Sequence, residues 1–95
     1  MDSELKRQLI AQSWQMHQLV EQAYLDVSAK QGDELWQEKQ RVLLADMALH
    51  LLQTALDPNE IALDKLRNNL YSIMTISDQF IPSAQLGSAK EAIYK

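Results

Sequence analysis

The stretch DPNEIALDKLRNNLYSIMTISDQFIP, running from Asp57 to Pro82, carries the start, the apolar stripe and the stop of a helix. Asp57 offers a side-chain oxygen to the free amides of a first turn, Pro58 sits where no amide partner is required, and Glu60 stands at the capping-box position. Leu63, Leu66, Leu70, Ile73 and Phe80 recur at steps of three and four, or sums of them, and so share one face. Pro82 pushes Ile81 out of the helical region and so either ends the segment or begins the next one. The stretch predicts a helix beginning at Pro58, capped by Asp57 and ended by Pro82.

Similar punctuation divides the rest of the chain. Asp2 or Ser3 can cap a first helix whose apolar face holds Leu5, Leu9, Met16, Leu19, Val20, Ala23, Tyr24 and Val27. Lys30-Gln31-Gly32 would end it, lysine facing the negative end of the helix dipole and glycine taking the left-handed cap. Asp33 is then expected to cap a second helix. Leu35, Val42, Ala45, Leu49, Leu52 and Leu56 step through it by threes and fours, or their sums, and Leu43, Met47 and Leu51 widen the stripe. Only Lys39, Asp46, His50, Gln53 and Asp57 keep a narrow polar line, which predicts a central helix touched on two sides. A fourth helix, about Ser83 to Tyr94, is weakly amphipathic through Leu86, Ala89 and Ile93. The short connections at Gly32, Asp57 and Pro82 predict an all-α fold, an antiparallel four-helix bundle, with residues 1–95 forming a single domain.

Composition limits the function. A chain of 95 residues buries only about 60 to 65% of its unfolded surface, so its amphipathic helices must share one core. The absence of cysteine rules out a disulfide framework and thiolate metal sites. The longest apolar run, Val42 to Ala45, is far short of the roughly 20 residues that span a bilayer, and the N-terminus has no signal-peptide core; a cytosolic protein is expected. Nine acidic residues face five basic ones up to Asp57, and four of each follow. Without a basic cluster, nucleic-acid binding is not expected, because its affinity comes chiefly from neutralising phosphates.

The polar residues suggest little chemistry. His50 follows Asp46 by one turn, and Glu21 follows His17 by one turn. A catalytic metal needs about three protein ligands, and metal-binding bundles of the ferritin kind use Glu-x-x-His pairs, which this chain lacks. Both pairs are therefore expected to be surface or interhelical ion pairs, with no metal and no cofactor. No Gly-x-Ser-x-Gly, phosphate loop or histidine-paired nucleophile occurs, so no enzyme activity and no small-molecule substrate are expected. Trp14 and Trp36 are expected to close the end of the core, and Met16, Met47 and Met74 to fill gaps in it. Asn68 and Asn69 oppose helix propensity in mid-helix and need compensation. Asn69 either faces solvent or bonds a neighbouring loop, and Tyr71 either rests on the bundle or takes part in recognition. Phe80-Ile81-Pro82 is either a hydrophobic plug or an exposed patch.

Leu66-x-x-x-Leu70-Tyr71, the helical residues that follow, the aromatic corner at Phe80 and a last short segment with Leu86 and Ile93 resemble the enterocin A immunity family. That family consists of small cytosolic proteins that protect producers of pediocin-like (class IIa) bacteriocins. The residue match covers about residues 58–93, and length and layout agree over the whole chain. The resemblance implies four antiparallel helices, no catalysis, and action from the cytosolic side on the bacteriocin-bound mannose phosphotransferase permease. It places discrimination in the C-terminal half, where Asn69, Tyr71, Phe80, Tyr94 and Lys95 are the candidate recognition positions. Two features depart from the family: the chain is acidic where many relatives are basic, and little tail is expected after the last helix.

The alternative is a small acidic dimerising adaptor or regulator. Spare apolar surface on the first helix would favour it, and a monomer with every stripe buried would favour immunity.

Overall fold

The structure is a computed structural model describing residues 1–30 and 32–94, and it is all-helical. Among the described residues four α-helices follow one another, α1 (Ser3–Asp26), α2 (Trp36–Leu56), α3 (Leu63–Ser77) and α4 (Leu86–Ala92), with one turn of 3-10 helix at Pro82–Ala84 before α4. Among the described residues there is no strand.

The first cap is the expected one. Asp2 has extended backbone and accepts the Glu4 amide at 3.0 Å. At the other end α1 stops at Asp26, short of Lys30, and the ammonium of Lys39 on α2 donates to the Val27 carbonyl at 2.9 Å. A cation thus sits at the negative end of α1, supplied by a neighbouring helix instead of by Lys30. Gly32 has φ +98°, a conformation that side chains disfavour and glycine takes readily. Gln31 lies outside the described residues.

Gly32 is not the cap of α1, which is Val27, and two predicted N-terminal caps are corrected as well. Asp33 does not cap α2, because its carboxylate turns back to accept the Lys30 amide at 2.8 Å; α2 begins three residues later, with Leu35 at the cap position and no side-chain bond. Asp57 does not cap α3. Its φ of −52° and ψ of 132° are those of a residue restrained by the proline that follows, and its carboxylate accepts the Asn59 amide at 2.9 Å. The side chain closes a small turn over Pro58–Glu60, and α3 starts only at Leu63, behind an uncapped Ala62.

The end of α3 also moves inward. The amides of Asp78, Gln79 and Phe80 bond the carbonyls of Met74, Ile76 and Ser77 in a tight turn, so the helix is over before Pro82. Of its two expected roles Pro82 takes the second, opening the 3-10 turn, where its missing N–H costs nothing.

Each helix packs on its neighbour in the chain: α1 on α2, α2 on α3, and α3 on α4. The result is a slab 44 × 35 × 16 Å across, with a radius of gyration of 15.0 Å against about 12 Å for a tightly packed chain of this length. Among the described residues, Leu49 and Ile76 are the only buried apolar residues. Trp14 and Met16, expected in the core, are about half exposed, at 49% and 52%.

Candidate functional site

The seam between α1 and α2 is polar. Ser13 and His17 lie one turn apart on α1, and across from them the line Asp46, His50 and Gln53 runs along α2. Gln53 donates to the Ser13 hydroxyl at 3.2 Å, and Ser13, almost wholly buried, donates to the Ile10 carbonyl at 2.6 Å. Further along, the Lys39 ammonium stands 4.5 Å above the Tyr24 ring. The line predicted to be a polar edge of a central helix is therefore an interface.

His17 is the centre of this seam. Its Nδ1 is in hydrogen-bond contact with the Asp46 carboxylate, its Nε2 is 3.4 Å from Glu21, and its ring meets that of His50 at 4.8 Å between centroids. Asp46 in turn lies 3.5 Å from Nε2 of His50. Trp14 packs edge-on against His17 at 5.5 Å. Asp46 and His17 keep only 12% and 17% of their side-chain surface, so this contact is largely sheltered from water. The two His–acid pairs, each visible on its own helix, converge into one group of four titratable side chains. The signal for this was present in the sequence: two such pairs on consecutive helices joined by a short connection.

A cleft of about 470 Å³ opens beside the group, between the N-terminal half of α1, the C-terminal end of α2 and the first turns of α3. Trp14, His50, Gln53, Thr54, Lys65 and Asn68 are among its walls, so His50 connects the sheltered cluster to an accessible space.

The positions expected to recognise a partner are spread over three settings. Asn69 is half-buried and accepts the Thr54 hydroxyl at 2.6 Å, which joins α3 to α2. Asn68 accepts the Tyr94 hydroxyl at 2.7 Å. Both mid-helix amides thus find the compensation they require, from helices and the chain end and not from a loop. Tyr71 and Tyr94 meet edge to face at 5.6 Å, with the Lys90 ammonium 4.9 Å from the Tyr71 ring centre. Phe80 and Ile81 are exposed at the corner after α3, so the apolar corner is a patch and not a plug. Lys95 lies outside the described residues. Of the set, Tyr71 and Tyr94 are in contact, Asn69 is a packing residue, and Phe80 and Tyr94 present surface.

No protein-family model, no curated protein and no solved structure matches this chain. Among the described residues, no helix is long and apolar enough to cross a membrane.

Proposed function

We propose that the chain acts by protein–protein contact, without chemistry, as an immunity protein against a pediocin-like bacteriocin, working from the cytosol on the bacteriocin-bound mannose phosphotransferase permease. The observation that carries a contact function is the aromatic cluster of the C-terminal half. Tyr71, Tyr94 and Lys90 are held together by ring and cation contacts, and Phe80 and Ile81 stand exposed nearby in sequence. Aromatic anchors on a rigid support are what protein recognition uses most. The particular partner follows from the family resemblance.

An antiparallel four-helix arrangement belongs to the same proposal. It is supported by the pairing order: Ser13 with Gln53 and Tyr24 with Lys39, Gln40 with Gln79 and Thr54 with Asn69, Arg67 with Ile93 and Thr75 with Lys90. In each pair of helices one index rises as the other falls.

Expression in a sensitive Gram-positive host should protect it against one or a few pediocin-like bacteriocins and not against unrelated pore formers. Phe80→Ala, at an exposed corner with no hydrogen bond to lose, should reduce protection while the helical circular dichroism stays unchanged. A soluble, folded and abundant protein that protects against none of a broad panel would remove this proposal.

A second reading, the dimerising adaptor, is favoured by one feature. Leu5, Met16 and Leu19 of α1 are exposed, Leu19 by 73%, and this is the spare apolar surface such a function requires.

A further inference from the structure

We propose that His17, Asp46 and His50 form a binding site for one zinc-class divalent cation, which ties α1 to α2. Each of the three residues offers a ligand atom, and these atoms lie within 4.8 Å of one another. Zinc ligands at about 2.0–2.1 Å in tetrahedral array stand about 3.3 Å apart, so side-chain rotations of the order of 1 Å close the site. The separation of His50 Nε2 from the Asp46 carboxylate, 3.5 Å, is already close to this value.

The donor set selects the metal class. Two imidazoles and one carboxylate suit zinc and its neighbours, whereas magnesium and calcium prefer an all-oxygen shell. The local charge agrees, since the Asp46 carboxylate lies beside the position a dication would take and Glu21, 3.4 Å from the other ring nitrogen of His17, stands where it can orient that ligand. Three protein ligands leave a fourth position for water, and His50 on the cleft wall gives the ion a path inward. On binding, the metal takes the place of the proton between His17 Nδ1 and Asp46, and the ligating neutral imidazole carries its one proton on Nε2, beside the Glu21 carboxylate. The hydrogen bond now closing the seam is exchanged for two coordinate bonds, with the second histidine recruited as well. This site is independent of any immunity function.

The test uses tag-free protein stripped with chelator and titrated with Zn²⁺ by calorimetry, and with Co²⁺ by visible absorption. One equivalent should bind with micromolar or tighter affinity, cobalt should give the intense bands of a four-coordinate site, and Mg²⁺ and Ca²⁺ should give nothing. Free zinc at about 100 times Kd should raise the melting temperature by roughly 10 °C or more. His50→Gln removes a ligand whose ion contact is to Asp46 at 3.5 Å, and it should weaken zinc binding at least tenfold while leaving helical content intact. In the unmutated protein, the imidazole nitrogen resonances of both His17 and His50 should move on adding zinc. Absence of saturable binding to the folded protein would overturn the site. So would binding that His50→Gln leaves unchanged, or that leaves those resonances in place.

Discussion

Asp46 is the side chain on which the α1–α2 seam turns. It is among the few buried charged or polar residues, and it contacts His17 across the interface and His50 one turn along its own helix. Removing one member of a sheltered pair leaves the other without its partner, and that loss exceeds the net worth of the contact itself. Asp46→Ala should therefore destabilise the protein by about 2 kcal/mol, well above the roughly 0.5 kcal/mol expected of an exposed helical pair such as Glu4 with Arg7. Urea unfolding of the two alanine variants, Asp46→Ala and Glu4→Ala, decides it. Equal midpoints would mean that the His17–Asp46 contact contributes no more than a surface pair. Neither helix by itself announces this, because in the sequence Asp46 has a neighbour at His50 and looks fully accounted for.

At the scale of elements, α3 shows how far local signals reach. The amphipathic period from Leu63 through Ile73 placed a helix correctly, because burial of a stripe is a sum over many residues and survives local error. Its start was misplaced because Asp57 and Pro58 make one turn that is not continued. An Asx turn and an N-cap use the same carboxylate and the same amide spacing, and only the next few backbone angles separate them. The actual cap position is Ala62, with extended backbone at φ −77° and ψ 103° and no side-chain acceptor for the first-turn amides. Ala62→Asp should supply that acceptor and a favourable charge at the positive end of the helix dipole, stabilising by about 0.5–1 kcal/mol. A rise of several degrees in melting temperature is the expected readout for a domain of this size. No rise would mean that the turn before α3 does not persist in solution. The weaker α4 follows the same logic. Its seven residues are too few to be stable alone, and it is held by Arg67 to the Ile93 carbonyl and by Tyr94 to Asn68, contacts that no pattern within α4 predicts.

For the whole molecule, the sequence pattern and the packing disagree in an informative way. The period of α2 implied an apolar centre, yet both of its seams are stitched by polar groups: Asp46 and Gln53 toward α1, Gln40 and Thr54 toward α3. Periodicity tells which residues share a face, but not which face meets a neighbour, and here the faces next to Asp46 and Thr54 were taken up first. Much apolar surface is left over. On α1, Leu5, Leu9, Met16, Leu19 and Ala23 follow one another by four, seven, three and four residues, the spacing of a helical pairing seam. That stripe lies about 100° round the helix from Ser13 and His17, which meet α2. Leu5, Met16 and Leu19 remain exposed along it, which accords with the slab's excess radius of gyration. If a second copy covers the stripe, sedimentation equilibrium should give a concentration-dependent mass approaching twice the 10.9 kDa of one chain. Leu19→Lys, placing a charge at the most exposed point of the seam, should return the protein to monomer with its helical content unchanged. A wild-type monomer at 100 µM or more would rule out the adaptor function in its dimeric form and leave this stripe free for a different partner. A dimer that Leu19→Lys does not disturb would instead place the contact elsewhere, with the exposed Phe80–Ile81 corner as the next surface to substitute.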